Sequence, residues 1–316
     1  MRILITGGAG FVAPYLVSAL RDEKAENCDI LCTAQTARAD SGIAQMDITD
    51  ASAVEQVFKA YSPTHIAHLA GISVAATAAS DPHSAWRVNV LGTLNIVAAT
   101  RKYAPDAPLL FASSGQVYGE SVRPGVPADE TTLLQPVNDY AVTKAAADLA
   151  LGAAAIADGL RSIRFRPFNH TGPGQRPVFA VPSFARQIAE IEAGKAAPVI
   201  RVGNLDVARD FLDVRDVARA YASALCRAGE IPPGTVLNVA SGEPRSLRSI
   251  LATLLSMSEV AIRVETESAR VRRGDPAYFV GDATALRKLL GWKPHFEFDA
   301  TLRDVLNYCR DHKSAA

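Results

Sequence analysis

The first thirteen residues constrain the fold more than any other stretch. Arg2-Ile-Leu-Ile-Thr6 is short and rich in β-branched and apolar residues, and it passes directly into Gly7-Gly-Ala-Gly10-Phe-Val-Ala13. A strand, a glycine turn and a helix over about Pro14 to Leu20 are expected in that order. Glycines at 7 and 10 let the backbone approach a pyrophosphate, whose charge is met by amide N–H groups at the helix N-terminus. Ala13 stands where a third glycine is usual, and its methyl group is expected to push helix and strand slightly apart. A turn of this kind belongs to a doubly wound parallel sheet, so an α/β fold with a dinucleotide at the first turn is the starting expectation.

The 316 residues are enough for one large core or two smaller ones. Lys and Arg total 33 and balance 33 Asp and Glu, which removes any bulk electrostatic case for nucleic acid or an acidic membrane. Cys28, Cys32, Cys226 and Cys309 lack metal-ligand or disulfide-framework spacing, so no metal is assigned and small buried roles are expected. The chain enters a strand at once, without a charged segment and apolar core of a leader. No run is read as membrane-spanning, and a cytoplasmic location is expected.

Tyr140-Ala-Val-Thr-Lys144 carries the chemistry. On a helix starting at Asn138 or Asp139, the two side chains leave the same face one turn apart. A phenol titrates near pH ~10, and a neighbouring ammonium favours its ionised form. The apolar run Leu109 to Ala112 ends in Ser113-Ser-Gly-Gln-Val-Tyr-Gly119, which puts a hydroxyl at a strand end ahead of that helix. Glycine turn, strand-end serine and Tyr/Lys pair together resemble the extended short-chain dehydrogenase/reductase family.

The resemblance implies a Rossmann-type sheet with a smaller, discontinuous C-terminal substrate domain. Its boundaries are expected at 1–166 for the NAD(P)-binding domain, with segments returning at about 207–240, and at 167–206 and 241–316 for the nucleotide-sugar domain. It implies Ser114, Tyr140 and Lys144 as the catalytic set, Ser114 lying four before Tyr118, with Ser113 in reserve. The cofactor residues implied are Gly7, Gly10, Phe11, Val12, Thr33, Arg38, Asp47, Ile48, Leu69, Ala70 and Gly71, besides Tyr140 and Lys144. Asp47-Ile48 matches an acidic-apolar pair beside the adenine, and Ala70-Gly71, after a strand over Ile66 to Leu69, leaves room for the cofactor backbone. His68 reads as a packed core residue and His65 as a loop residue. Thr33-Ala-Gln-Thr-Ala-Arg38 lacks the carboxylate that holds an NAD ribose, so NADPH is expected to be accepted alongside NADH, with Gln35 or Arg38 near the 2′-phosphate. Arg38 as a plain surface residue is the competing reading. The helix from Asn89 and the Ala-rich run after Lys144 match a four-helix dimer contact, although packing within one chain would explain the same alanines.

Residues near Ser114 select among reactions. Sugar 4,6-dehydratases of this family place an Asp or Glu two before the position of Tyr118, where this chain has Gln116. An amide cannot exchange the proton that elimination requires. Phe168 to Gln175, Pro198 to Leu205, Arg209 to Asp216 and Arg270-Val-Arg-Arg are similar to GDP-4-keto-6-deoxy-mannose reductases. That likeness implies a GDP-sugar partner, with Ser114, Gln116, Asn169, Asn204, Arg209 and Arg272 on the substrate side. Either arginine could instead pair with a nearby carboxylate, and Arg273 stands where relatives have proline, leaving the register open there. The expected reaction is reduction of GDP-4-dehydro-6-deoxy-D-mannose to GDP-D-rhamnose or GDP-6-deoxy-D-talose. A nucleotide-sugar 4-epimerase and a non-catalytic nucleotide-sensing or scaffold protein are the alternatives.

Overall fold

The computed structural model describes residues 1–24, 28–37, 41–268 and 276–312. Its strands in chain order are β1 (Arg2–Thr6), β2 (Asp29–Ala34), β3 (Ala44–Gln45), β4 (His65–His68), β5 (Leu109–Ala112), β6 (Ser162–Pro167) and β7 (Asn169–Thr171). After these come β8 (Val199–Val202), β9 (Ala208–Asp213), β10 (Thr235–Val239), β11 (Pro244–Ser246), β12 (Arg263–Thr266) and β13 (Tyr278–Phe279). The described residues form a seven-stranded sheet in the order β10-β6-β5-β4-β1-β2-β3, and each adjacent pair in it is parallel. This is a Rossmann-type sheet, its order reversing between β1 and β4.

Side chains alternate across the sheet as the pleat demands. Ile3 and Ile5 of β1, Ala67 of β4 and Leu110 of β5 enter one core, where α1 (Ala13–Lys24) meets them. Leu4, Ile66, Leu109 and Phe111 point into a second core covered by α2 (Ala51–Tyr61). The chain then forms α3 (Ala75–Ser80), α4 (Pro82–Trp86), a single π-turn at Arg87–Leu91, and α5 (Gly92–Tyr103). Next is α6 (Asp139–Asp158), capped by the Asn138 side chain on Ala141 N–H and stopped by Gly159 at φ 73°. With α5 it completes the second core. Strands covered on both faces read as near-continuous apolar runs, which is why β1 and β5 were legible.

α6 is long and apolar enough to cross a membrane, unlike the sequence expectation that no run approaches that length. It lies against the sheet with just over half of its length buried, as a core helix does.

A separate small sheet, β11-β9-β13 with β7 on β9, carries Asn169 and Arg209, two of the residues expected toward the substrate, and β8 pairs with β12. Their core comes from α7 (Ala180–Glu192), α9 (Leu247–Ser256) and α11 (Phe298–Asp311), through Phe184, Ile188, Leu254, Leu302 and Val305. Residues 208–213 of the expected returning segment form β9 in this small sheet. The chain rejoins the first core at α8 (Val214–Cys226), and α10 (Thr284–Leu290) also packs there. His65, expected in a loop, opens β4 opposite Ile3 and is half-buried.

One buried phenol ties the turn after β5 to the sheet edge. Tyr118 donates to Asn238 Oδ1 at 2.7 Å and accepts from Arg166 Nη1 at 3.1 Å. Tyr118→Phe leaves both partners buried and short of a bond. A loss of about 1–3 kcal/mol in unfolding free energy, with an unchanged urea m-value, is expected in equilibrium denaturation.

Candidate active site

The glycine turn sits at the reversal point of the sheet. Gly7 has φ 74°, and a β-carbon on it would lie 2.7 Å from Ala70 N. Gly8 N–H donates to Thr33 O at 2.8 Å, and Gly10 N–H to Gly7 O at 2.8 Å. Gly71 is equally constrained, since a β-carbon there would be 2.9 Å from Asn89 Oδ1. The crevice at the ends of β1 and β4 is thus lined by bare backbone, as a pyrophosphate requires. Phe11 and Val12 lead into α1, and Ala13 is buried in its core.

Behind the turn runs a hydrogen-bond relay that the sequence reading did not foresee. Thr93 Oγ1 donates to Asn89 O at 2.7 Å, so its contact with His68 Nε2 at 3.0 Å makes that nitrogen the protonated one. His68 Nδ1 then accepts from Thr6 Oγ1 at 2.7 Å, and Thr6 in turn accepts from Ala70 N–H at 3.2 Å. Burial drives His68 down to about 3, so it stays neutral and serves as a fixed spacer. It is the core histidine expected, with a job of aligning β1, β4 and α5. Asn89, inside the π-turn, holds Ile72 through N–H and C=O at 2.8 and 3.2 Å and reaches Thr143 on α6 at 3.0 Å. A lone buried amide in an apolar helical run was the available signal.

Among the residues expected beside the adenosine, Thr33 is buried at the end of β2. Asp47 accepts from Thr49 N–H and hydroxyl, both at 2.8 Å, and from Gln35 Nε2 at 3.0 Å. These bonds, Thr49 first, hold its carboxyl below the ordinary range. Ile48 packs where a β-carbon on Gly92 would clash, and its carbonyl accepts from Asn95 Nδ2 at 2.9 Å. Leu69 N–H extends the β1 pairing to Thr6 O at 3.2 Å. Arg38 lies outside the described residues.

Ser114, Tyr140 and Lys144 are all buried. Ser114 Oγ accepts from Gln116 N–H at 3.1 Å, leaving its proton free to donate, and it lies close enough to Tyr140 to favour the ionised phenol. Burial raises the Tyr140 phenol above its usual value, only partly offset by Ser114. The sequence reading had Lys144 bring the phenol down; in this structure desolvation prevails. Lys144 Nζ stands 4.3 Å over the Phe111 ring, and burial lowers it to about 8, with Asp148 opposing. Gln116 is half-buried at the start of the turn, beside Ser114.

Asp148, one turn beyond Lys144, is fully buried and was not anticipated. Arg166 donates to both of its oxygens, Nε and Nη2 each at 3.0 Å, and Arg164 Nη1 to one at 3.0 Å. Its carboxyl stays below the ordinary range because these bonds and charges outweigh burial. An acid in an Ala-rich helix and two arginines alternating along β6 were the sequence signal.

Among the residues expected toward the substrate, Asn169 is half-buried on β7, opposite Phe211 of β9. Arg209 is buried on β9, its Nη1 donating to Ala208 O at 2.8 Å. Asn204 is exposed and caps its own loop by accepting from Asp206 N–H at 2.9 Å, so no contact joins it to the serine and tyrosine. Arg272 lies outside the described residues. Phe11 stacks on His170 with ring centroids 6.2 Å apart and planes within 2°, and Tyr15 donates to Pro173 O at 2.6 Å. The glycine turn and the loop after β7 are therefore packed together.

Comparison with known proteins follows this geometry. GDP-6-deoxy-D-mannose reductase from Pseudomonas aeruginosa is 38% identical over 245 residues, 78% of this chain and 80% of its own. The structure of RMD from Pseudomonas aeruginosa complexed with NADPH superposes with a TM-score of 0.86 at 32% identity, covering 98% of this chain and 99% of that one. Thermus thermophilus UDP-glucose 4-epimerase in complex with NAD gives a TM-score of 0.85 at 30% identity, with 98% and 99% covered. A family model described as GDP-mannose 4,6 dehydratase matches residues 4–305, and the chain belongs to that family.

Proposed function

We propose that the protein reduces the C4 ketone of GDP-4-dehydro-6-deoxy-D-mannose with NADPH or NADH, forming GDP-D-rhamnose or its C4 epimer GDP-6-deoxy-D-talose. The carrying observation is that Ser114, Tyr140 and Lys144 are assembled beside Gln116, an amide where the family's dehydratases need an acid. The nucleotide-sugar and NADPH in the names of the Pseudomonas relatives support the same reading. A cytoplasmic location is part of the same reading.

The residues divide the work. Gly7, Gly10 and the N-terminus of α1 take the pyrophosphate, and Lys144 faces the crevice near Gly71, within reach of a ribose hydroxyl. The bound nicotinamide supplies the hydride. Tyr140 remains protonated at neutral pH because burial raises it, which is the form a proton donor needs. Ser114, positioned by Gln116 N–H, offers its hydroxyl proton to the oxygen on which charge develops and then steadies the ionised phenol. Arg209 is the cation on the GDP side.

The second reading, a nucleotide-sugar 4-epimerase, is favoured by the likeness to the Thermus enzyme. Tightly held oxidised cofactor and turnover without added NADPH would select it.

A homodimer is the assembly this surface suits. Leu91 and Leu94 on the π-turn and α5, and Leu149 and Ile156 on α6, are exposed, and Arg101 joins Asp158 at 2.6 Å across the two helices. Together they present an apolar two-helix face.

Incubation with GDP-mannose, a separate 4,6-dehydratase and NADPH should consume NADPH and give a GDP-6-deoxyhexose whose C4 configuration is read by NMR. Tyr140→Phe should lower kcat by about 10³-fold or more while GDP-sugar affinity stays within a few fold, measured by steady-state kinetics and calorimetry. Activity should fall as pH rises through about 8, because Lys144 loses its proton there. Leu94→Glu with Ile156→Glu should convert a dimer to monomer in sedimentation velocity.

A further inference from the structure

We propose that Asp148 is a positioning residue for the reduction: its carboxylate, held by two arginines of β6, locks the roll of α6 that carries Tyr140 and Lys144 to the crevice. The inference rests on the function proposed above and names a residue for that same site.

The geometry is that of a buried helix face. Tyr140, Lys144 and Asp148 are spaced at four-residue intervals on α6, so they form one line against the sheet, and all three are buried. Asp148 cannot swing away. Arg166 takes both oxygens, Arg164 shares one, and Arg164 is itself tied to Gly234 O at 2.6 Å. Both arginines project from β6, and Arg166 continues to Tyr118 in the turn that carries Ser114. The carboxylate is therefore the joint between the helix bearing Tyr140 and the strand and turn that place its partner.

The charges around Lys144 make the same point. Its own helix contributes the neutral Tyr140 and the anionic Asp148. From β4 comes His68, held neutral, and from β5 the face of Phe111, which attracts a cation. Gly71 brings no side chain, and the two guanidiniums of β6 are engaged by Asp148 itself. Asp148 is the anion among these described neighbours, and its field is what opposes the burial of Lys144. Without it, a lysine in this setting would give up its proton well inside the working pH range.

Two variants separate the carboxylate from its packing: Asp148→Asn removes the anion, and Asp148→Glu keeps it. Each is checked for folding by circular dichroism, and NADPH affinity is followed by fluorescence across about pH 6 to 10, alongside kcat and KM for the keto-sugar. Asp148→Asn should lower kcat and move the alkaline loss of affinity down by about one pH unit, and Asp148→Glu should restore both toward the parent. A role confined to stability would leave kcat per folded molecule and the midpoint in place in both. Unmoved values in Asp148→Asn, or equal changes in Asp148→Glu, overturn the proposal. If Asp148→Asn does not fold, the double variant Asp148→Asn with Arg164→Gln, which removes both members of the ion pair, is read in its place by the same criteria. The NADPH titration needs no sugar, so a protein that binds the dinucleotide yet reduces no keto-sugar would defeat the assigned reaction while still testing Asp148.

Discussion

A helix carrying charged groups lies buried on a parallel sheet, and that constraint governs the site. Both faces of such a sheet must be covered, so α6 cannot turn its polar residues to solvent without uncovering Phe111 and Leu109. Lys144 and Asp148 consequently have to find partners inside. A buried charge is tolerable only when paired and hydrogen-bonded, and Arg164, Arg166 and the Phe111 ring meet that condition. The same desolvation then acts on chemistry, raising a phenol and lowering an ammine-bearing neighbour.

The sequence was most legible where backbone geometry leaves no choice. Gly7 has to be glycine because Ala70 passes beneath it, and such a close approach is visible as a glycine pattern after an apolar run. Tyr140 and Lys144 were readable through helical spacing taken together with the glycine turn and the strand-end serine. α11 was passed over although Phe298, Leu302, Val305 and Leu306 recur at helical spacing; what the spacing does not tell is that this face meets α7 and α9. Likewise the seat of β9 in the small sheet is a matter of pairing with β7, β11 and β13, which no local signal reports.

Polar networks were the hardest to see. The Thr6, His68 and Thr93 relay joins residues 62 and 25 positions apart, so no window along the chain contains it. Asp148 and Arg166 are 18 positions apart, separated by the second half of α6 and a turn. The phenol's acidity was misjudged for a related reason: spacing shows which charge is near, whereas desolvation depends on everything packed around the group.

The π-turn at Arg87–Leu91 gives the helix that follows a particular rotational phase. One extra residue in a helical turn advances every later side chain by roughly 100° relative to an unbroken helix. Here that offset lets Asn89 point inward to Ile72 and Thr143 while Leu91 and Leu94 emerge on the surface. Removing a single residue from this stretch would turn Leu94 and the rest of α5 by roughly 100° relative to Asn89, so one local miswinding keeps the crevice and the outer apolar stripe in step.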